Sequence, residues 1–304
     1  VLEVGMDKKG EIDHLSKIIQ PDISVITNVN YAHAKNFKNI NQIALAKSEI
    51  IKNTKRNGHV VLNADDFFFE FHKKIASKNN LKVVSFGLKN QKSNIKFVDI
   101  YRKSKIFEII ICLKNRKKSF FISNNFQNNI YNILAALAVI SINKSILKLH
   151  KNLFLHFQVP EGRGDFSRIK INNKNIRLID ESYNSNPLSL KSAIQNFDKI
   201  NSNNQKKYLL LGDMLELGKH SKKLHKDMTY ILNKSKIYKI HIYGKDVAET
   251  FEGIKKNKKG RILRKISDIY DLIIKDLNNN DYLMVKGSNS TGLNKIVANL
   301  RGKI

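Results

Sequence analysis

VITNVNYAHAKNFKNINQIALAKSEI, residues Val25–Ile50, carries a strand end, a lone histidine and a helix in one unbroken stretch. Ile23–Thr27 is an apolar run suited to a buried strand. His33 follows in the loop behind it, and Ile40–Lys52 reads as a helix that buries Ile43, Ala44 and Ile50. Lys47 stands on that apolar side, where an ammonium is costly unless it is paired or loses its charge. VLEVG opens the chain with Glu3 as its one polar side chain and reads as a strand end. Ligands of α/β sheets collect beyond the carboxyl ends of strands, and carboxylate oxygen suits Mg²⁺. An acid, a histidine and a buried lysine in this order point to a metal and phosphate site. Taken singly, each has a plainer account: Glu3 as a solvated edge residue, His33 as a packed loop residue, Lys47 as a lysine with a buried stem and a wet head.

The rest of the chain supplies an α/β frame for these residues. Val60–Asn63 reads as a second buried strand. VVSFG, IKFVDIY, IFEIIICL and KSFFI, within 82–122, read as an antiparallel subsheet, and Asn129–Ile142 as a helix apolar nearly all round. PEGRG, at the end of 151–165, holds two of the 14 glycines and one of the three prolines and marks a junction. Beyond it, strands at 166–171, 176–180, 208–212, 239–243 and 282–286 alternate with helices at 187–200, 219–234, 267–278 and 290–300. That alternation predicts a parallel or mostly parallel sheet with helices on both faces. Asn186 is a candidate cap with Pro187 in the first turn, and Leu190, Ala193, Ile194 and Phe197 form a helical stripe. The expected domains are 1–155 and 156–304.

Composition narrows the classes. With 304 residues, 41% hydrophobic and 27% charged, the chain has a globular balance rather than a disordered one. Its most apolar run, Ile133–Ile142, is far short of the ~20 residues a membrane span needs. A single cysteine, Cys112, excludes an internal disulfide and fits a reducing, cytoplasmic setting; its place in FEIIICL predicts a core position. The net charge of +29 rests on 46 lysines and only nine arginines among 55 basic residues. Nucleic-acid readers concentrate arginine and interleave aromatics, whereas these lysines are scattered. The charge therefore reads as a compositional bias that steers anionic substrates, with no nucleic-acid partner expected. Nothing in the sequence marks an oligomer interface, and a monomer is the expected state.

Together these segments resemble the Mur ligases, the ATP-dependent amide-forming enzymes of peptidoglycan synthesis. LEVGMDKKGEI is similar to the family's LElGxxxxGEI stretch, NVNYAHAKNF to N-x-x-x-x-H followed by an aromatic, AKSEI to AK-x-E-I, and VLNADD to a further family segment. NNIYNILAA resembles H-N-x-x-N-A-L-A-A, and PEGRGDF resembles the P-x-x-GR-G-E junction. LIDESYNSNPLSL, LLLGDMLELG and MVKGSNSTG resemble DDSYNANP, its companion GDMLELG and VKGSR. These last three mark the branch that adds D-alanyl-D-alanine to the UDP-N-acetylmuramoyl-tripeptide.

The resemblance implies a central ATPase domain, a parallel sheet plus a small antiparallel subsheet, followed by a Rossmann-like C-terminal domain. It implies Glu3 and His33 as ligands of two Mg²⁺ ions, with a carbamylated Lys47 in the same metal set, helping to hold the second. It places Asn129 and Asn132 at the adenine of ATP, and Arg163 on the phosphates, where a planar guanidinium outperforms lysine. It sets Asp180 and Tyr183 near ATP, with Asn184 and Asn186 lining the site and Lys286 facing the cleft. Lys47, His33 and Arg163 form the implied catalytic set. Phe126 and Asn128 stand where the family commonly has Gly-x-His, and Asn289 replaces its usual arginine.

A phosphate loop G-x-x-G-K-[ST] is expected before VLEVG, and none occurs within the 304 residues; Gly244-Lys245 is followed by Asp246. The chain is accordingly expected to be an N-terminally truncated fragment, inactive in ligation by itself. Two other readings compete. A basic polyanion-binding protein on a retired ligase scaffold would show steep salt dependence. A folylpolyglutamate-synthase-like ligase shares the carbamate and ATP logic but lacks the paired SYNSNP and GDMLELG segments.

Overall fold

Residues 1–302, apart from His33, Lys105 and 124–128, are described by the computed structural model. They fall into two units, Val1–Gln158 and Val159–Ile304. In the first, the elements run α1 (Glu11–Ile19), β1 (Ile23–Ile26), α2 (Ile40–Lys47), α3 (Glu49–Lys52), β2 (His59–Asn63), α4 (Phe69–Lys78) and β3 (Lys82–Gly87). There follow β4 (Ile95–Lys103), β5 (Ile106–Leu113), β6 (Arg116–Ser123) and α5 (Ile130–Asn143). The six strands lie in sequence order across one sheet. β1 to β4 pair in parallel, while β5 runs antiparallel to both β4 and β6. Apolar side chains of β2 and α4, among them Val60, Leu62 and Ala76, pack with Ile26 and Ile51 into one core.

Three expectations change here. VVSFG belongs to the parallel half of the sheet, because hydrophobic alternation carries no strand direction. The helix over Ile40–Lys52 breaks at Ser48, whose hydroxyl donates to the Leu45 carbonyl at 2.6 Å and competes with the helical ladder. VLEVG is no strand: it pairs with no neighbour, and Glu3 is exposed. Without a ladder partner an apolar pattern does not by itself make a strand. Cys112 is buried, as its neighbours predict.

The second unit runs β7 (Asp165–Ile171), β8 (Lys174–Glu181), α6 (Pro187–Lys199), β9 (Lys207–Gly212), α7 (Ser221–Lys234) and β10 (Lys239–Tyr243). It continues through α8 (Ala248–Glu252), β11 (Lys259–Leu263), α9 (Ile266–Asp276), β12 (Tyr282–Lys286) and α10 (Leu293–Leu300). Strand order is β11-β10-β9-β12-β8-β7, parallel except for the β7–β8 hairpin. The return of β12 to lie between β8 and β9 makes the kind of crevice in which doubly wound sheets place ligands. β9 and β12 are buried along their whole length, as central strands covered on both faces must be. β11 and α8 escape a reading by apolar pattern because KGRIL presents Lys259, Gly260 and Arg261 before its first apolar residue. The cap is as expected: Asn186 Oδ1 accepts from Ser189 N at 2.9 Å, with Pro187 opening α6. Among the described residues no helix is long and apolar enough to cross a membrane.

His241 on β10 is 1% exposed and accepts from Arg261 N through Nδ1 at 2.9 Å. Burial pushes its pKa from 6.5 down to about 4. The folded ring thus stays neutral where the unfolded chain takes up a proton. Stability should fall as pH drops from about 6.5 to about 4, by at most ~3 kcal/mol from this residue. Urea titrations across that window check it, and His241→Gln should flatten the slope.

Candidate functional site

Lys47 ends α2 half-buried. Burial pushes its pKa down, and the Asp66 carboxylate draws it partly back. An amine held toward its neutral form is a nucleophile rather than a fixed cation. Asp66 is committed elsewhere: Oδ2 accepts from Val29 N and Oδ1 from Phe68 N, each at 2.8 Å, which ties the loop after β1 to the turn before α4. Asp65 beside it accepts from the backbone of Leu88, Lys89 and Asn90 at 2.6–2.9 Å and from the Tyr131 hydroxyl at 3.0 Å. VLNADD is thus a structural clamp. The glutamate of AKSEI acts likewise. Glu49 is buried and accepts from Gly10 N and Asp13 N at 3.0–3.1 Å, so it holds the start of α1 against α3. His72, buried beside this group and held below its usual pKa by burial, donates from Nε2 to the Ala44 carbonyl at 3.1 Å.

The metal set fares differently. Glu3 is exposed and off any strand, and His33 lies outside the described residues. Among the described residues no group of three His, Cys, Asp or Glu side chains converges on a common point. The described donors alone thus form no cluster, and His33 stands outside them. Asn129 and Asn132 bond to each other, Nδ2 of Asn132 donating to Oδ1 of Asn129 at 3.0 Å at the start of α5. The Asn128 departure lies outside the described residues.

In the second unit the carboxyl ends of β8, β12 and β9 stand side by side and bring three separate segments together. Lys286 Nζ, fully buried, donates to the Asn184 carbonyl at 2.9 Å and lies 3.4 Å from Glu181 Oε2. Ser288 Oγ donates to the Ser185 carbonyl at 3.3 Å, while its backbone N donates to the Asp213 carbonyl at 3.0 Å. Leu215 N donates back to Ser288 Oγ at 2.9 Å. SYNSNP, GDMLELG and KGS are therefore one hydrogen-bonded unit.

Asp213 itself serves the backbone, accepting from Val247 N at 2.7 Å and Lys245 N at 3.1 Å. That close approach demands glycine at 244, where φ is +138° and a Cβ would lie 2.5 Å from the carboxylate. Asp180 also turns inward. Its Oδ1 accepts from Ser182 N and Oγ at 3.0 and 2.5 Å, and burial raises its pKa. Lys286 is pushed down and Glu181 up by burial, each opposed by the other's charge.

Two expected residues do face outward. Tyr183 is 45% exposed, and the Arg163 guanidinium lies 4.5 Å from its ring centroid. Asn184 is exposed next to them. Ser185 Oγ, buried behind them, has no hydrogen-bond partner among the described residues. Glu181 was not singled out by motif; a carboxylate register-paired with Lys286 across β8 and β12 shows only in three dimensions.

Residues 1–140 match the Mur ligase middle domain, and residues 166–289 match the domain described as Mur ligase, glutamate ligase domain. The chain belongs to the Mur ligase family. A UDP-N-acetylmuramoyl-tripeptide–D-alanyl-D-alanine ligase of Rickettsia prowazekii is 28% identical over 98% of this chain and 65% of the relative. One from Buchnera aphidicola subsp. Acyrthosiphon pisum is 33% identical over 99% and 64%. This Mur ligase chain thus spans just under two thirds of the length of those curated relatives. The crystal structure of MurF from Acinetobacter baumannii superposes with a TM-score of 0.84 at 25% identity, over all of this chain and 64% of that one. MurF from Thermotoga maritima, solved with ADP, shares the fold at a TM-score of 0.83 and 22% identity, over all of this chain and 67% of that one.

Lys286→Met should cost about 2–3 kcal/mol in urea unfolding. It strips the Asn184 carbonyl and Glu181 of their donor, and the 21% exposure of Glu181 keeps the loss below the ~3–5 kcal/mol of a fully buried pair. Glu181→Gln should cost less.

Proposed function

We propose that this Mur ligase chain serves ATP-dependent addition of D-alanyl-D-alanine to UDP-N-acetylmuramoyl-tripeptide in peptidoglycan precursor synthesis. The observation that carries the reading is the convergence of SYNSNP, GDMLELG and KGS, three branch-marking segments far apart in sequence, at the carboxyl ends of β8, β9 and β12. The names of the relatives agree with it. ATP would phosphorylate the tripeptide's terminal carboxylate, and the D-alanyl-D-alanine amine would then displace phosphate to form the amide. Chemistry of this kind depends on positioning and charge neutralisation.

In this reading Arg163, exposed over the Tyr183 ring, takes the nucleotide phosphates. Asn184 and the unpartnered Ser185 hydroxyl offer polar contacts beside it. Asn129 and Asn132, already a bonded amide pair, face the base. Asp180, Lys286 and Asn186 act one layer back: each is engaged within the protein and holds the turn that presents Tyr183 and Asn184. Lys47 fits carbamylation, because its burial favours the neutral amine that adds CO₂. Mg²⁺, with Glu3 and His33 among its ligands, a cytoplasmic setting and a monomeric state belong to the same proposal.

The test joins the N-terminal third of the Rickettsia prowazekii relative ahead of Val1 and measures ligation. ATP-dependent product with D-alanyl-D-alanine is expected, with Arg163→Ala lowering kcat/KM at least tenfold. Product with another amine alone would sink the acceptor assignment. Absence of turnover together with salt-dependent nucleic-acid binding would favour the polyanion reading. For Lys47, ¹³C NMR of the 304-residue chain in labelled bicarbonate should show one carbamate resonance that Lys47→Ala removes.

A further inference from the structure

Asp165 and Asp180 are direct cross-strand partners in the β7–β8 hairpin. Like charges placed directly opposite each other destabilise a sheet, and both side chains are largely buried, at 18% and 6% exposure. One cation answers both. Arg301, which closes α10, is 8% exposed; its Nη2 lies 2.7 Å from Asp165 Oδ2 and 3.6 Å from Asp180 Oδ2. Its Nε donates to Ser167 Oγ at 3.1 Å, one strand repeat along the same face of β7. Nη2 answers the two carboxylates by charge at ion-pair distance, without an aligned hydrogen bond, while Nε ties the planar guanidinium to Ser167.

Asp165 passes this constraint on. Its other oxygen, Oδ1, accepts from Gly162 N at 2.7 Å. Gly162, at φ +75°, offers its carbonyl to Tyr183 N at 3.1 Å, and a Cβ on it would lie 2.8 Å from Tyr183 Cβ. Gly164 N donates to the Asp180 carbonyl at 2.7 Å. Arg163 lies between these two glycines, its guanidinium over the Tyr183 ring. The path from Arg301 through Asp165 and Gly162 to the Arg163 turn is continuous and made wholly of contacts at bonding distance.

We propose that Arg301 is a positioning residue: by bridging Asp165 and Asp180 it holds the PEGRG turn so that Arg163 stays stacked on Tyr183, ready for a nucleotide phosphate. The final clause rests on the ligase reading above; the positioning itself does not. Arg301 lies outside the segment matched to the family's C-terminal domain, residues 166–289. Without Arg301, two facing carboxylates either share a proton or splay apart, and Asp165 loses its hold on Gly162.

The 304-residue chain tests the positioning by NMR of arginine side chains. The Arg163 resonance, assigned by its loss in Arg163→Lys, should show an upfield ring-current shift that Tyr183→Leu abolishes. Arg301→Met should lose most of that shift, and Arg301→Lys should keep part of it. A folded Arg301→Met with the full shift overturns the proposal. If the Met variant does not fold, Arg301→Lys decides: a reduced shift supports the proposal and an undiminished one defeats it. In the ligation-competent fusion, Arg301→Met should raise KM for ATP about tenfold and leave kcat within about twofold. A fall in kcat at unchanged KM would count against it. Failure of the ligase reading would silence the fusion and leave the Arg163 resonance still readable.

Discussion

The ion pair of Glu181 with Lys286 sits at the register point where β8 meets β12, and the arrangement at that end of the second sheet depends on it. Removing Lys286 from water is costly, and one carboxylate at 3.4 Å with one carbonyl at 2.9 Å offsets that cost. The return is geometric. Because the carbonyl belongs to Asn184, the ammonium fixes the backbone of the SYNSNP turn, and Ser288 two residues on fixes Ser185 and the GDMLELG loop. Arg163 and Tyr183 stay exposed above a turn whose backbone is held at Asn184 and Ser185.

A wider pattern lies behind this. The chain has 26 acidic residues against 55 basic ones, and several of its buried and half-buried acids are spent on backbone amides. Glu49, Asp65, Asp66 and Asp213 each accept from two or more main-chain N–H groups, joining loops distant in sequence. Carboxylate-to-amide bonds are stronger than neutral ones and need no partner side chain. With so many lysines in solvent, ion pairing is mostly left to exposed residues, where it contributes little.

This explains what could be read in advance. The βα alternation after PEGRG was legible because Leu209–Leu211 and Leu283–Val285 are apolar runs bounded by turn residues. β11 was not, since an edge strand beginning Lys259-Gly260-Arg261 carries no such signature. Acid positions in motifs were visible, but the direction of their oxygens was not. Asp180 looks like a free strand-end carboxylate until Ser182 and Arg301 are seen to occupy it. Lys286 looks like a cleft lysine until its full burial is known. Lys47 was legible as an anomaly, an ammonium among Ile43, Ala44 and Ala46, and its shifted equilibrium follows from that burial.

The order of strands carries a consequence for how each unit comes into being. In the first sheet every strand is laid beside its predecessor, so each new segment finds its partner already made, and contacts stay local in sequence. The second sheet does not permit this. β8 and β9 flank a slot that only β12 fills, so until residues 282–286 leave the ribosome the sheet has a gap at its centre, with Leu178 and Leu210 lacking their neighbours Leu283 and Val285. Asp165 and Asp180 likewise face each other without their cation until Arg301 has been made. The second unit is therefore completed late: residues 282–301 close the core and neutralise the hairpin together, and a nascent chain stalled short of them exposes apolar edges prone to misassembly.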